Sequence, residues 1–374
     1  MKFTVTDSSP AGEGGVLTVV VDAGVEYRNY DMTFTGSLSF DKRGGGHFIE
    51  KVGGHTYSGD VRVAEGRLRL DARGDAGVIG APCAVTVDEG AALDFCGRSG
   101  YGGFQFVLNG GTLLNALGYS TDFTANTSIT DVRLTKDSAI SMTGRYGLCA
   151  AGERTRLDLG GHTLTITTST YFDLIDTTIE NGTIVYNMSG VYGRLLPRQS
   201  VIATNNVTLV SNGAIGIYAN IYGAASPIEP VDLGNYVAND PQLDSATHDV
   251  LRVWGAFTPL GTKFHGLTLM DGSTLDLSRR LDGALPLVST LSGNESLKTL
   301  RFADNATIKV NVGGRSLRKG DYLVTWTAAS KPANLNTVKF KCTGGRSFRV
   351  EVDEDGEGTD GLRFIPSGFI MIVK

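Results

Sequence analysis

The stretch VGGHTYSGDVRVAEGRLRL, residues 52–70, decides the fold. It ends in Gly66 followed by Arg-Leu-Arg-Leu, so every second residue of this run is apolar. Alternation with a period of two is typical of a β-strand with one buried face, and a glycine before it favours a turn. The stretch therefore predicts a short strand that begins at a corner of the chain.

The same phrase, a turn residue before a short alternating run, recurs along the chain. Copies lie at 66–70, 90–95, 111–114, 137–142, 161–166, 182–186, 206–210, 271–277 and 304–310. The first seven begin 21 to 26 residues apart, which is a period of about 23. A repeat of this length without a helical pattern indicates a β-solenoid, in which each coil stacks on the one before it.

Stacking should place equivalent strands of successive coils in parallel register, about 4.8 Å apart. The apolar residues of the runs would then point inward and form one column of core. These predicted core residues are Leu68, Leu70, Leu93, Phe95, Ile140, Met142, Leu164 and Ile166. The Leu-x-x-Leu-x-Leu spacing of a leucine-rich repeat is absent, and a propeller blade needs about 40 residues.

The composition agrees with an all-β chain, because glycine is frequent, 50 of 374 residues, between runs rich in Thr and Val. The net charge of −5 gives no basic signature of a nucleic-acid partner. The longest apolar run, 15–21, is too short to span a membrane, and the first ten residues lack the apolar core of a signal peptide. We therefore expect no nucleic-acid partner, no membrane insertion by this chain and no leader within it.

The repeat predicts three regions. Residues 1–75 hold N-terminal strands and the first repeat, 76–280 hold parallel coils with a loop insertion near 219–250, and 281–374 form a C-terminal cap. The cap should be antiparallel, since the end of a solenoid leaves an unpaired strand edge that must be covered. Its predicted hairpin strands lie at 322–326, 338–341, 348–352, 362–364 and 369–373.

Four segments follow one another in the order of a known repeat: Phe-Ile-Glu-Lys at 48–51, Thr-Tyr-Ser-Gly at 56–59, Val-Ala-Glu-Gly-Arg-Leu at 63–68 and Gly-Ala-Ala-Leu at 90–93. In this order they resemble the autotransporter-associated β-strand repeat, and 156–187 are similar to coils of the pectate-lyase-like β-helix superfamily. The resemblance implies a secreted or surface-displayed bacterial passenger. The predicted fold is therefore all-β, a right-handed single-stranded parallel β-helix (β-solenoid) with a C-terminal antiparallel β-rich cap.

Three of the five histidines, His47, His55 and His162, each follow two glycines. A metal or catalytic site would need several such side chains to converge. The three lie in different parts of the coil or several coils apart, so they are not expected to converge. The glycines before them supply the positive φ that a sharp corner needs. We favour the interpretation that these histidines mark corners.

Carboxylates offer a second kind of site, because a β-helix glycosidase needs two acidic residues on one face, about 5 to 9.5 Å apart. Asp173 and Asp176 face opposite sides of one strand unless a turn separates them, although Asp158, Asp173 and Asp176 could meet across coils. The acidic stretch 353–360 resembles half a calcium loop but lacks the Asp-x-Asp-x-Asp-Gly order. It lies between two alternating strands, which favours a hairpin turn.

Aromatic and cysteine side chains also have two interpretations each. The aromatic residues could stack on sugars, but buried stacks in the core are the interpretation that we favour. They are Tyr101, Phe104, Phe106, Tyr186, Tyr192, Tyr218 and Tyr222. The cysteines, Cys83, Cys96, Cys149 and Cys342, lack Cys-x-x-Cys spacing, so no zinc site is predicted. A Cys83–Cys96 disulfide is one alternative; four buried thiols, which we favour, are the other.

These observations favour a non-catalytic extracellular or cell-surface β-helix that acts as a structural spacer or adhesin-like passenger. We assign no catalytic residue, no metal ligand and no cofactor. Surface glycans or other cell-surface proteins are the expected partners, and the expected location is secreted or bacterial cell surface. Two alternatives stay open: a polysaccharide-active lyase or glycoside hydrolase, and a carbohydrate-binding module.

Overall fold

The computed structural model is an all-β protein. It describes residues 14–71, 80, 82–98, 100–117, 129–149, 153–190, 193–198, 200–204, 206–213, 215, 231–238, 251–260, 267–279, 287–289, 300–314, 316–326, 331–332, 334–343, 348–353 and 360–366. These residues form 36 strands and no helix. In this part of the chain, accordingly, there is no helix with the length and apolarity to cross a membrane.

The predicted fold class is confirmed, because the chain is a parallel β-solenoid of about eight turns with a small antiparallel sheet near the C terminus. It divides into two compact units. Unit 1 contains the described residues up to Val207, and unit 2 contains those from Thr208 onward.

Unit 1 has two large parallel sheets and one small sheet. In order of pairing, the first sheet contains β1 (Val16–Val20), β4 (Ser39–Arg43), β7 (Val61–Val63), β9 (Ala84–Asp88), β11 (Tyr101–Asn109), β13 (Ile129–Lys136), β16 (Thr155–Asp158), β19 (Thr177–Glu180) and β22 (Val201–Ala203). A branch from β13 adds β15 (Tyr146–Leu148), β18 (Tyr171–Ile175) and β21 (Arg194–Arg198).

The second sheet of unit 1 contains the predicted repeat phrases from 66–70 to 182–186 and two strands before them that the repeat did not predict, β2 (Glu26–Asn29) and β5 (His47–Glu50). Its other strands are β8 (Arg67–Leu70), β10 (Ala92–Asp94), β12 (Thr112–Asn115), β14 (Ser138–Met142), β17 (Thr163–Thr168) and β20 (Gly182–Met188). The small sheet pairs β3 (Thr35–Gly36) with β6 (Thr56–Tyr57).

Unit 2 has the same two kinds of parallel sheet and one mixed sheet. One parallel sheet contains β24 (Val231–Leu233), β26 (Leu251–Val253), β28 (Leu267–Leu269) and β31 (Leu300–Phe302). The other contains β23 (Val207–Asn212), β25 (Asn235–Ala238), β27 (Ala256–Pro259), β29 (Thr274–Asp276), β32 (Thr307–Asn311) and β34 (Lys339–Thr343). The mixed sheet contains β30 (Leu287–Ser289), β33 (Tyr322–Trp326), β36 (Asp360–Pro366) and β35 (Phe348–Asp353).

Columns of aligned apolar residues form the core of unit 1. One column of the second sheet runs Phe48, Leu68, Leu93, Leu113, Ile140, Ile166 and Tyr186, all buried. A column of the first sheet runs Leu17, Phe40, Val61, Val85, Phe106, Val132, Leu157 and Ile179. Because each member is directly above an apolar residue of the preceding coil, each coil covers the apolar face that its neighbour could not bury alone.

The predicted core residues are all buried, but the prediction of one column is wrong. Leu164 aligns with Ser138, whereas Ile166 aligns with Ile140. Residues two apart on one strand share a face yet lie about 6.6 Å apart along it. Strands β14 and β17 therefore each contribute to two neighbouring columns.

Glycine is required at Gly66, the corner from which the last strand of the stretch 52–70 begins. Gly66 has φ +65°, and a Cβ there would lie 2.4 Å from the carbonyl oxygen of Gly46 in the preceding coil. No other residue fits both the left-handed backbone and this close approach. The corner at Gly90 has φ +75° but open space around the position of a Cβ.

The C-terminal region differs in part from the predicted hairpins. Strands β33, β36 and β35 pair antiparallel as expected, but β34, predicted as a hairpin strand, pairs in parallel with β32. Its alternating apolar pattern suits a parallel strand equally well, since both kinds of strand have a period of two. The predicted strand 369–373 lies outside the described residues.

Strands also lie within the segment 219–250, which we predict as a loop insertion. They are β24 and β25, which pair in parallel with β26 and β27; the other residues of that segment lie outside the described ones.

Strand β34 comes last in the pairing order of its parallel sheet. Lys339 and Lys341 stand exposed on its outward face, and Lys341 aligns with the exposed Lys309 of β32. Phe340, between the two lysines of β34, contacts Phe302 with ring centroids 5.4 Å apart.

Candidate functional site

Asp173 is the most deeply buried of the three carboxylates considered above. It lies on β18 and is fully buried, where it accepts hydrogen bonds from Arg145 Nε (2.9 Å) and Nη2 (3.0 Å). Gly147 of β15 aligns with Asp173, and a Cβ at Gly147 would lie 2.2 Å from the Asp173 carbonyl oxygen. The bidentate pair therefore joins two neighbouring coils. The two backbones lie so close there that only glycine fits at position 147.

Asp176 and Asp158 contact other arginines. A turn at Asp176, with φ +49°, follows β18, and its Oδ1 lies 3.3 Å from Arg154 Nη1. Asp158, at the end of β16, accepts a bond from Arg156 Nη2 (3.0 Å). The three carboxylates that might have met across coils are thus each paired with a different arginine.

An open depression of about 640 Å³ lies beside Asp158. Its lining residues are Asp158, Gly160, Gly161, Asn181, Gly182 and Asn206. Asn206 Nδ2 donates to Asn181 Oδ1 at 2.6 Å, and Asp158 Oδ1 accepts from the backbone N–H of Gly160 at 3.0 Å. The polar groups that line the depression are hydrogen-bonded to one another. The depression is therefore the outer surface of the turns that stack at this corner.

The three histidines that follow two glycines lie in different settings. His47 is the exposed first residue of β5, and it aligns with Glu26 and Arg67. His162 is half-buried at a corner, with Nδ1 3.7 Å from Asp137 Oδ1. His55 is buried next to β6, where its ring stacks on Phe34 with centroids 5.1 Å apart and its nitrogens face polar groups.

His55 belongs to a buried cluster with Asn29 and Glu50. Asn29 Nδ2 donates to both carboxylate oxygens of Glu50, at 2.9 and 3.0 Å, and the Val52 N–H donates to the same carboxylate at 3.0 Å. His55 Nδ1 accepts from the Phe34 N–H (3.0 Å), and Nε2 lies 3.3 Å from Glu50 Oε2. Because Nδ1 is an acceptor, the ring proton is on Nε2, which lies close to the carboxylate without forming a hydrogen bond to it.

Lys42 lies in an inward column, aligned with Val19 and Val63, and is fully buried. Its Nζ donates to the carbonyl oxygens of Arg43 (2.8 Å), Gly44 (2.7 Å) and Glu65 (3.0 Å). Burial lowers the pKa of this amine to about 8. The amine thus satisfies carbonyls of two successive coils, two beside Lys42 itself and that of Glu65 in the next coil.

Sequence reasoning missed Lys42, Glu50 and Asn29, although the signal for them was present. Each follows an apolar residue by two positions, in Phe40-x-Lys42, Phe48-x-Glu50 and Tyr27-x-Asn29. The alternation places them inward, and a polar residue at an inward position needs buried partners.

Other predicted sites have a structural explanation. Tyr101, Phe104, Phe106 and Tyr186 are buried, which confirms the core interpretation for these four; Tyr192, Tyr218 and Tyr222 lie outside the described residues. All four cysteines are free thiols, two buried and two half-buried, so the Cys83–Cys96 disulfide is absent.

The acidic stretch 353–360 connects β35 to β36, which pair antiparallel up to Asp353 and Gly361. This pairing supports the hairpin interpretation, while residues 354–359 themselves lie outside the described ones. Within the described part of the chain, no group of three or more His, Cys, Asp or Glu side chains is arranged to hold a metal ion.

Comparison of the chain with family models, curated proteins and solved structures gives no match. The parallel β-solenoid is therefore established by its own strand pairing. Its function has to be argued from the side chains that the coils bring together.

Proposed function

We propose that this chain is a non-catalytic structural β-helix that works outside the cell, as a spacer or adhesin-like passenger of the kind that the resemblance to autotransporter-associated repeats implies. The observation that carries the proposal is the pairing of Asp158, Asp173 and Asp176 with three separate arginines. A glycosidase needs one carboxyl group that donates a proton and a second that attacks or activates water nearby. Asp173 instead accepts two guanidinium N–H bonds from Arg145 of the neighbouring coil. Its carboxylate therefore joins two coils.

The stacked columns support a mechanical role. Eight strands of the second sheet in unit 1 pair in sequence, and seven intervals of about 4.8 Å give about 34 Å of continuous parallel ladder. Apolar columns run along both sheets of this unit. Such a ladder resists bending because every coil is hydrogen-bonded to its neighbours.

A test of the non-catalytic role uses the purified full chain and a panel of pectate, alginate, glucan and xylan substrates. We expect no release of reducing ends and no unsaturated product. The variant Asp173→Asn and the control Asp176→Asn should be indistinguishable from the unmodified chain in this assay. Product formation by the unmodified chain that a folded Asp173→Asn variant lacks would establish an enzyme instead.

The location is tested separately, with antibodies raised against the purified chain. They should label intact cells of the source organism, and external protease should remove the signal. Labelling only after permeabilisation would contradict the extracellular part of the proposal.

A further inference from the structure

An aromatic platform lies on the outward face of the first parallel sheet of unit 2. Val231, Leu233, Leu251 and Val253 point inward and are buried. Their neighbours Asp232 and Arg252 point outward and align with each other, and Arg252 aligns with Thr268 on the next strand. Trp254 is the next outward residue after Arg252, and 41% of it is exposed.

Hydrogen bonds fix the indole ring of Trp254 in place. Its Nε1 donates to Asp232 Oδ1 at 3.0 Å. The same carboxylate accepts two bonds of 2.6 Å, from Arg252 Nε and Nη2. The Arg252 guanidinium carbon lies 6.0 Å from the centre of the Trp254 ring. Single exposed apolar residues are common on protein surfaces, but a tryptophan oriented by a bidentate ion pair is a preorganised contact.

We infer that Asp232, Arg252 and Trp254 form a binding site for a neutral pyranose unit of a glycan. The exposed face of the indole would pack against the C–H face of the sugar ring, as amphipathic aromatic side chains do at binding interfaces. The two charges of the site are paired with each other, so it offers no uncompensated charge to a charged sugar. We therefore expect it to favour a sugar without a carboxylate or sulfate.

Polar groups that could orient a sugar belong to Arg252, whose guanidinium lies near the ring, and to Thr268 on the neighbouring strand. A guanidinium has five N–H donors, and the pair with Asp232 uses one on Nε and one on Nη2. The remaining donors of Arg252 and the hydroxyl of Thr268, the aligned residue of β28, can contact sugar hydroxyl groups.

The two tryptophans of the chain make the site measurable, because Trp326 is buried, with 3% of it exposed. Acrylamide should quench the fluorescence of Trp254 and leave that of Trp326 nearly unchanged. Methyl β-glucopyranoside, methyl β-galactopyranoside and methyl α-mannopyranoside serve as neutral probes, and methyl glucuronoside serves as the charged one. We expect at least one neutral probe to protect Trp254 from quenching in a saturable manner, and the glucuronoside to give no protection.

Variants of the full chain complete the test, with binding measured by calorimetry. Trp254→Ala should weaken the binding of the neutral probe about tenfold or more. Trp254→Phe keeps a ring but loses the N–H, so its affinity should lie between those of the unmodified chain and of Trp254→Ala. The control Tyr30→Ala removes an aromatic residue of unit 1 that is 59% exposed, and it should bind like the unmodified chain. Urea unfolding of each variant separates loss of the site from loss of the fold.

Three results would overturn the inference. They are no protection by any neutral probe, protection by the glucuronoside alone, and unchanged affinity in a folded Trp254→Ala variant. The spacer role proposed above does not depend on any of them.

Discussion

Arg145 and Asp173 form a bidentate ion pair between adjacent coils, with Nε 2.9 Å from Oδ2 and Nη2 3.0 Å from Oδ1. The carboxylate is fully buried, and the guanidinium is also largely shielded from solvent. Removing one partner of such a pair leaves the other charge buried without compensation, which is costly.

We therefore expect Asp173→Asn to lower the free energy of unfolding by about 3 kcal/mol, measured by urea denaturation. Asp176→Asn is the matched control, because Asp176 also contacts an arginine but 36% of its side chain is exposed. Its effect should stay below about 1 kcal/mol. Equal effects of the two substitutions would show that the Arg145–Asp173 pair does not hold the coils together.

Lys42 should make the stability of the chain depend on alkaline pH. Its pKa is about 8 in the folded chain, against an ordinary value of 10.5. Between these values the unfolded chain binds more protons than the folded one, so stability rises with pH. The cost of burying the charged amine is fully present below pH 8 and disappears by pH 10.5, and it amounts to about 3 kcal/mol.

Lys42→Met removes this titration and serves as the comparison at every pH, since tyrosines and cysteines also titrate in this range. The free energy of unfolding of the unmodified chain minus that of the variant should increase steadily from pH 8 to pH 10.5. A difference that stays constant over this range would contradict the assignment of Lys42 as a buried amine.

Gly66 should tolerate alanine less well than Gly90. Both have a left-handed backbone, which costs a residue with a Cβ about 1–2 kcal/mol. At Gly66 the Cβ would also lie 2.4 Å from the Gly46 carbonyl oxygen, whereas at Gly90 it would meet nothing within 4 Å. Gly66→Ala should therefore destabilise by about 1–3 kcal/mol more than Gly90→Ala, as measured by thermal and urea unfolding. A smaller loss for Gly66→Ala than for Gly90→Ala would mean that the neighbouring coil adjusts freely.

The buried Glu50 should be sensitive to loss of its charge. Its carboxylate accepts N–H groups from Asn29 and Val52 and faces Nε2 of His55. Glu50→Gln brings an amide donor against these donors, and we expect a loss of about 2–3 kcal/mol. Glu65→Gln is the control, because Glu65 accepts the Gly44 N–H in an exposed position. Unfolding curves that show no difference between the two variants would refute a structural role for the cluster.

The cysteines should be reduced and slow to react. Burial raises the pKa of Cys83, Cys96 and Cys342 to about 11 and also raises that of Cys149. At a given neutral pH, the shift from 9 to about 11 lowers the thiolate fraction about a hundredfold. Titration with a chromogenic disulfide should count four thiols in denaturant and show slow reaction of the folded chain. Fewer than four in denaturant would reveal a disulfide.

The strands of the second sheet could be predicted because their signal is local. In Gly66-Arg-Leu-Arg-Leu the turn residue, the alternation and the burial of Leu68 and Leu70 all follow from five consecutive residues. Copies spaced by about 23 residues then imply stacking, and the aligned Leu68, Leu93 and Leu113 confirm it.

Partners across coils could not be predicted in the same way. The spacing between aligned residues varies, from 20 between Leu93 and Leu113 to 27 between Leu113 and Ile140, so a constant period does not fix which polar side chains meet. Arg145 and Asp173 are 28 residues apart, and Asn29 and Glu50 are 21 apart. Lys42 and Glu50 look like surface residues by chemistry; the alternation after Phe40 and Phe48 places them inward, and the register with their neighbours confirms it.

The lysines of β34 affect how this last strand of its parallel ladder can pair with another copy of the chain. A parallel ladder ends in a row of unsatisfied N–H and C=O groups that could template another copy of the chain. Lys339 and Lys341 stand outward on the last strand of this ladder, next to Lys309. A second chain that paired its own β34 with this strand in register would place like charges about 4.8 Å apart, and this repulsion disfavours such pairing of two copies.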